Sequence, residues 1–177
     1  MKRAPVICLH GPESTGKSTM LAPLAARLSA VIVPEYGREF AEAHGTDFSM
    51  ADLVTIAQTH DRMTQAALTG GANCVLLDTD PLMTAVWADM LFGQRDPWFD
   101  QWTGVADLYL LLDIDLPWVE DRTRMFGSAI QRQRFFDLSK AELERRGVAW
   151  ALVGGQGDDR LANALAAIAS ARLDSAP

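Results

Sequence analysis

The segment Gly-Pro-Glu-Ser-Thr-Gly-Lys-Ser that begins at Gly11 restricts the possible folds more than any other feature of the sequence. Gly11 and Gly16 permit backbone angles at which successive N–H groups point at phosphate oxygens. Lys17 reaches the β- and γ-phosphates of a nucleotide, and Ser18 offers a hydroxyl to Mg²⁺. The segment follows an apolar run and opens a helical pattern, as such a loop requires. The sequence therefore predicts a phosphate-binding loop for ATP or GTP with Mg²⁺, made by Gly11, Glu13, Ser14, Thr15, Gly16, Lys17, Ser18 and Thr19.

Apolar runs and helical patterns alternate along the chain. The candidate strands are short and apolar throughout, as in a parallel sheet that is buried on both faces: Val6–His10, Val31–Val33, Cys74–Leu77, Leu108–Leu112 and Ala149–Val153. The helical patterns cover Lys17–Ser29, Tyr36–His44, Met50–Leu68, Pro81–Phe92, Ile130–Arg146 and Asp158–Leu173. Such alternation implies right-handed crossovers between parallel strands. We therefore predict a three-layer α/β/α fold of the P-loop NTPase class, with a parallel sheet of about five strands.

The composition places the chain among globular proteins, with 49% hydrophobic and 22% charged residues in 177. We expect one domain over residues 1–173 and a frayed tail at 174–177. The formal net charge of −7 argues against a nucleic-acid partner. Cys8 and Cys74 lie in apolar runs and are predicted to be buried free thiols of a reducing cytoplasm. No apolar run approaches the ~20 residues of a membrane span, and no secretory signal is expected.

Acidic residues follow two of the predicted strands, where parallel strands end at a ligand crevice. Asp78 comes after Cys74–Leu77 and is our first choice, with Ser18, for the Mg²⁺ site. Asp80 is a further candidate for a metal or substrate contact, but it is equally suited to cap the helix that begins at Pro81. The sequence leaves these two roles of Asp80 open.

Glu35 follows the second predicted strand, whose end faces the phosphate acceptor in phosphotransferases with this loop. A carboxylate there can accept the proton of a hydroxyl group or fix the acceptor by hydrogen bonds, and either Glu35 or Asp78 could be this catalytic carboxylate. Arg38 is near enough in sequence to pair with Glu35 or Glu39 or to contact a phosphate. A solvated helix start, with acidic residues that favour the helix dipole, explains the same residues equally well.

A segment rich in arginine follows the fourth predicted strand. Four arginines lie within thirteen residues: Arg122, Arg124, Arg132 and Arg134. A mobile lid over the γ-phosphate needs such charges, because phosphoryl transfer is catalysed mainly by positioning and charge neutralisation. We predict a lid over about residues 117–134, with Arg122 and Arg124 as its catalytic residues. The alternative is a solvated helix that carries ion pairs such as Asp121–Arg124.

Aromatic residues are dense around the predicted crevice: Trp87, Phe92, Trp98, Phe99, Trp102 and Trp118. Packing in the core or between helices is the interpretation we favour for most of them. A planar or cationic acceptor could instead stack against some of them. The sequence does not decide between these interpretations.

Taken together, these segments resemble the ribosylnicotinamide kinase domain of NadR-type proteins. The resemblance rests on residues 11–19 and 34–39, on Asp78-Thr79-Asp80 with Trp87 and Phe92-Gly93, and on residues 107–112 with Pro117-Trp118 and Asp121-Arg122. It extends over nearly the whole chain, including Gly154-Gly155 and Arg160.

The resemblance implies that ATP phosphorylates the 5′-hydroxyl of nicotinamide riboside, giving nicotinamide mononucleotide for NAD synthesis. It implies an acceptor site at Glu35, Tyr36, Arg38, Asp80 and Trp87, with Asp78 near the metal. Arg122 and Arg124 then belong to the lid, and residues 154–160, with Arg160, lie near the adenine.

Family members often carry a nucleotidyltransferase domain before the kinase domain, and some carry a DNA-binding domain. Because the phosphate loop begins at Gly11, we expect neither domain, and neither adenylyl transfer nor repressor function. The N-K-x-D and D-x-x-G patterns of GTPases do not occur in the sequence. The alternative functions are a nucleotide-dependent switch, or a kinase of another nucleoside or small metabolite.

Overall fold

A computed structural model describes residues 3–171, and within this range the chain forms five strands and seven helices. The strands are β1 (Val6–His10), β2 (Val31–Val33), β3 (Val75–Asp78), β4 (Leu108–Leu112) and β5 (Trp150–Val153). The helices are α1 (Lys17–Leu28), α2 (Tyr36–His44), α3 (Met50–Thr69), α4 (Pro81–Phe92), α5 (Pro97–Gln101), α6 (Ala129–Arg146) and α7 (Gly157–Ser170). The predicted tail at 174–177 lies outside the described residues.

All strands of the sheet run parallel, in the order β2-β3-β1-β4-β5. The central strand β1 sends alternate side chains to two apolar layers. Ile7 and Leu9 face a core cluster shared with α1 and α7, whereas Val6 and Cys8 face a second cluster that includes residues of α3 and α6. Each fully buried aliphatic side chain contributes about 1.5–3 kcal/mol. The sheet is thus stabilised on both faces, as its uninterrupted apolar strands require.

The predicted α/β class and the five-stranded parallel sheet are confirmed, with element bounds shifted by at most a few residues. Cys8 and Cys74 are buried free thiols, as predicted. The prediction omitted α5, which begins at Pro97 after Asp96 and has five residues. A helix of this length is too short to display a hydrophobic period.

The carboxyl ends of the parallel strands meet along one edge of the sheet. The phosphate loop follows β1 there, Glu35 follows β2, and Asp78 ends β3. In the register of the sheet, Leu9 of β1 pairs with Asp78, and His10 pairs with Leu111 of β4. Residues that lie far apart in sequence are therefore brought to the same edge.

Candidate active site

The phosphate loop connects β1 to α1 and has glycines where its backbone demands them. Gly11 has φ 126° and Gly16 has φ 82°. A Cβ atom at Gly11 would lie 3.0 Å from the carbonyl oxygen of Leu112, so a side chain there meets both strain and a close contact. The loop thus brings backbone N–H groups and the N-terminus of α1 together at a place suited to bind an anion.

Lys17 is the first residue of α1 and folds back over the loop. Its Nζ donates to the carbonyl oxygens of Gly11 at 2.8 Å and Pro12 at 2.6 Å. Burial lowers the pKa of Lys17, while the carboxylates of Glu35 and Asp78 oppose that shift. The ammonium group therefore lies in a partly desolvated site, where its charge acts strongly on a phosphate group.

Ser18 and Asp78 bring two oxygen ligands of the kind that Mg²⁺ prefers to the edge of the phosphate loop. The Ser18 hydroxyl donates to Oδ2 of Asp78 at 3.2 Å. The other oxygen, Oδ1, is buried and accepts no hydrogen bond from residues 3–171. Burial raises the pKa of Asp78, and the nearby Lys17 charge lowers it. A buried carboxylate oxygen without a partner fits a cation or its water shell, so these two residues suit a magnesium site.

Thr79 separates two carboxylates that follow each other closely in sequence. Its φ of 65° is left-handed, an uncommon and strained conformation for a β-branched residue. Asp78 faces Ser18, whereas Asp80 accepts hydrogen bonds from the backbone N–H of Leu82 at 2.9 Å and from the Tyr109 hydroxyl at 2.5 Å. Asp80 is thus the N-cap of α4, buried outside the cavity described below. Of its two predicted roles, the structure shows the cap, and Asp80 does not line the cavity.

We expect Tyr109→Phe to lower the free energy of unfolding by about 2–3 kcal/mol without changing the affinity for an acceptor. The Tyr109 hydroxyl donates to Asp80 and accepts from the backbone N–H of Ala106, so the substitution leaves two buried polar groups without this partner. Urea unfolding measures the change. Tyr36→Phe, at a partly exposed tyrosine, is the matched control, and a loss at Tyr109 no larger than that of the control would contradict the expectation.

Glu35 is the N-cap residue of α2 and lies next to the phosphate loop in the same cavity as Arg38. Burial and, to a lesser degree, the Asp78 carboxylate raise the pKa of Glu35 to about 7. Arg38 forms an ion pair with Asp121 at 3.4 Å, so its predicted pairing with Glu35 or Glu39 is not the one observed. A carboxyl group with a pKa near neutrality is suited to take up a proton from a hydroxyl group.

A single cavity joins the phosphate loop to an inner compartment between α2, α3 and α4. It encloses about 1030 Å³ of empty space, counting the part open to solvent. Gly16, Lys17 and Ser18 line its outer part, and Glu35 lies on its wall. The inner walls are mainly apolar and include Phe48, Leu53, Ile56, Met83 and Trp87. The cavity thus places a mainly apolar compartment directly beside the phosphate loop.

The predicted lid corresponds largely to an irregular segment between β4 and α6, residues 113–128. Glu13 of the phosphate loop holds this segment, because its carboxylate accepts from the backbone N–H of Met125 at 3.1 Å and of Phe126 at 3.2 Å. Ser14 adds a second link, since its hydroxyl donates to the Val119 carbonyl at 3.1 Å. Glu13 and Ser14 are residues of the predicted phosphate loop, and their side chains connect this loop to the lid.

We expect Glu13→Ala to release the lid and to accelerate amide hydrogen exchange at Met125 and Phe126 roughly thirtyfold. Two hydrogen bonds to a carboxylate are lost, worth about 2 kcal/mol together, and exchange reports such local opening. Glu120→Ala, at an exposed residue of the same segment, should leave both rates unchanged. Equal exchange rates in Glu13→Ala and the unmutated protein would show that Glu13 does not hold the lid.

The four arginines that we predicted for the lid lie in three different environments. Arg124 lines the cavity and pairs with Asp121 at 3.0 Å, an i,i+3 pair that we had named as the alternative to a lid. Arg122 is exposed and does not line the cavity, so the structure does not place it with Arg124 as predicted. Arg132 donates to the Leu116 carbonyl at 2.9 Å and lies over the Trp118 ring, and Arg134 is exposed on α6.

Two further predicted contacts lie outside the cavity. Arg160 is 4% exposed, and its guanidinium donates to Asp115 at 2.5 Å and to the carbonyl oxygens of Gly155 and Asp113 at 2.6 Å each. These hydrogen bonds connect Arg160 to the segments that follow β4 and β5, beside the phosphate loop. Tyr36 packs edge-on against Phe40, with ring centroids 6.3 Å apart, and does not line the cavity.

Of the six aromatic residues that we considered, Trp87 borders the cavity. It packs against Phe126 and Phe135, with ring centroids 5.3 Å and 5.2 Å away. Phe99 is buried in the core, and the Trp102 indole donates to Asp61 at 3.0 Å. Sequence reasoning missed other lining residues: Phe48, His60, Thr79, Met83 and Thr84. Helical spacing marks His60 as belonging to the buried stripe of α3, but it does not say that this stripe faces a cavity.

No helix among residues 3–171 has the length and apolar character that crossing a membrane requires. A family model described as "AAA domain" matches residues 6–160. The trifunctional NAD biosynthesis/regulator protein NadR of Escherichia coli (strain K12) is 29% identical over 150 residues, which cover 80% of this chain and 36% of that protein. This chain thus spans about a third of the length of the curated relatives it matches.

Solved structures share the fold. A NadR protein crystallised in complex with NR superposes with a TM-score of 0.79 at 24% identity, over 94% of this chain and 50% of that one. A thymidylate kinase from Ehrlichia chaffeensis superposes with a TM-score of 0.71 at 14% identity, over 96% of this chain and 99% of the other. At these identities the likeness concerns the fold.

Proposed function

This chain belongs to the AAA domain family, and we propose that it is an ATP-dependent kinase that phosphorylates the 5′-hydroxyl of nicotinamide riboside to give nicotinamide mononucleotide. The observation that carries the proposal is the single cavity that joins the phosphate loop to Glu35 and the apolar inner compartment. A protein that only binds or hydrolyses a nucleotide does not need a second compartment beside the γ-phosphate. A kinase needs one for its acceptor.

The phosphate end of the cavity supplies positioning and charge. The backbone N–H groups of the loop and the Lys17 ammonium hold the β- and γ-phosphates of ATP and stabilise the charge of the transferring group. Arg124 adds a second positive charge from the lid. Ser18 and Asp78 are the residues that would hold Mg²⁺, which when bound neutralises phosphate charge.

The acceptor end supplies a base and an apolar wall. Glu35 orients the 5′-hydroxyl and accepts its proton as the phosphoryl group arrives. Trp87 and Phe48 offer aromatic surfaces to the planar nicotinamide ring, whose positive charge favours such faces. The choice of nicotinamide riboside among nucleosides draws on the similarity to NadR, one example of which was solved with NR.

A screen of ADP release across nicotinamide riboside, the common nucleosides and a control without acceptor tests the proposal. We expect release that depends on nicotinamide riboside, with nicotinamide mononucleotide identified by mass spectrometry. Release that depends on another nucleoside would keep the kinase and replace the acceptor. Release that ignores every nucleoside would contradict the kinase and favour a nucleotide-dependent switch.

A further inference from the structure

Helix α3 presents one polar side chain to the inner compartment. Leu53, Ile56 and His60 occupy positions i, i+3 and i+7, so they lie on one face of the helix, and all three line the cavity. The first two are apolar. His60 is 2% exposed, which makes it as buried as the apolar residues beside it. An imidazole at such a place needs polar partners.

The protein does not supply those partners. Neither ring nitrogen of His60 forms a hydrogen bond with any atom of residues 3–171. Burial beside the apolar side chains of Leu53 and Ile56 favours the uncharged form of the imidazole. A neutral imidazole has one N–H donor and one nitrogen that only accepts.

The chemistry of the surroundings shows what is missing. The backbone groups of Pro34 and Asp78 that act on the ring are carbonyl oxygens, which accept hydrogen bonds and do not donate them. Even if the N–H of the ring turned to one of them, its other nitrogen would still lack a donor. This nitrogen is part of the His60 side chain, which lines the compartment where the proposed acceptor binds.

We propose that His60 is a specificity-determining residue of the acceptor site, whose ring nitrogen receives a hydrogen bond from an N–H or O–H donor of the nucleoside. This inference rests on the proposed function, because it takes the occupant of the compartment to be the acceptor. Nicotinamide riboside carries two kinds of donor, the amide N–H and the ribose hydroxyls. An analogue in which a carboxylate replaces the amide has no donor there, and its charge finds no cation in a neutral imidazole.

Steady-state kinetics with paired acceptors and His60 variants test this inference. We expect His60→Leu to raise KM for nicotinamide riboside about ten- to hundredfold and to leave KM for ATP within about twofold. His60→Gln, which keeps a donor and an acceptor, should recover part of the loss. Thr64→Val is the matched control, because Thr64 is also a buried polar residue, one turn along α3, but does not line the cavity.

The paired acceptors identify the donor. Nicotinic acid riboside lacks the amide N–H, and the 2′- and 3′-deoxy analogues of nicotinamide riboside each lack one hydroxyl. The analogue that lacks the donor to His60 should bind the unmutated enzyme as weakly as nicotinamide riboside binds the His60→Leu variant. The His60→Leu substitution should not weaken the binding of that analogue any further. If His60→Leu raised the KM of no donor-bearing analogue more than that of the others, or if every acceptor lost affinity equally, the inference would be overturned.

The outcomes separate this inference from the proposed function. Unchanged acceptor KM in a folded His60→Leu, or an equal increase in Thr64→Val, overturns the role of His60 and leaves the kinase standing. If His60→Leu does not fold, His60→Gln takes its place in the comparison of donor-bearing and donor-lacking acceptors. If no nucleoside elicits ADP release from the unmutated protein, the proposed kinase activity is wrong, and calorimetric titration of the same nucleosides then tests the role of His60. Nucleoside binding that is weakened by substitution of His60 supports that role. Nucleoside binding that is unaffected by the substitution overturns it.

Discussion

Lys17→Ala should reduce acceptor-dependent ADP release at least about a thousandfold, the largest effect that we expect of any single substitution. Lys17 is the loop residue that brings a full positive charge to the β- and γ-phosphates. Burial lowers the pKa of its ammonium group and reduces the screening of its charge by solvent. Removal of that charge leaves the transferring group to the backbone N–H groups and Arg124. Coupled detection of ADP at saturating ATP and acceptor measures the loss.

The substitution should leave the fold intact, which separates a catalytic loss from misfolding. A partly buried ammonium costs desolvation energy, and this offsets the loss of its hydrogen bonds to the Gly11 and Pro12 carbonyls. We therefore expect the free energy of unfolding to change by less than about 1.5 kcal/mol. Lys140→Ala, at an exposed lysine on α6, is the matched control and should keep full activity. More than a tenth of the normal turnover in Lys17→Ala would refute the assigned role.

Much of the fold could be predicted because its determinants are local. The run Val6–His10, the loop that begins at Gly11 and the helical pattern after Lys17 follow one another within a few residues, and each restricts the next. The crossover rule for parallel strands then gives the sheet. Helix α5 lacked such a signal, since its five residues from Pro97 complete little more than one turn.

The site was less predictable because its side chains have more than one possible partner. Asp78 and Asp80 lie at the end of the same strand, and the left-handed conformation of Thr79 between them determines which of the two faces Ser18. The residue type of Thr79 does not predict this conformation. Arg160 looked suited to a nucleotide, but Asp115 holds it, and that pairing joins segments 45 residues apart. Likewise, the period of α3 marks His60 as buried without showing that a cavity lies beside it. The partners of these side chains are determined by contacts between residues distant in sequence, which local sequence patterns do not show.

Glu35→Gln should lower kcat about a hundred- to thousandfold and change KM for ATP little. Glutamine keeps the size and hydrogen-bonding oxygen of the side chain but cannot take up the proton of the 5′-hydroxyl. The carboxylate stands next to the phosphate loop at the start of α2, on the wall of the acceptor compartment. Rapid-quench measurement of a single turnover isolates the chemical step from product release.

The pH profile gives this prediction a second readout. Burial raises the pKa of Glu35 to about 7, so the group is protonated and inactive as a base at lower pH and becomes ionised as the pH rises through 7. The kcat/KM of the unmutated enzyme should therefore increase tenfold per pH unit below about pH 7 and level off above it. In Glu35→Gln the residual activity should lack this increase, because the titrating group is gone.

Glu39→Gln provides the matched control, since Glu39 lies one turn further along α2 and is exposed. It should keep both the rate and the pH profile, which excludes a general effect of removing one negative charge from this helix. If Glu35→Gln retained its rate, Glu35 would only occupy the N-cap position of α2, where its side chain makes no capping hydrogen bond, and Asp78 would remain as the other carboxylate that we predicted for this role. If the rate fell but the rise with pH persisted, Glu35 would position the hydroxyl while another group accepted its proton.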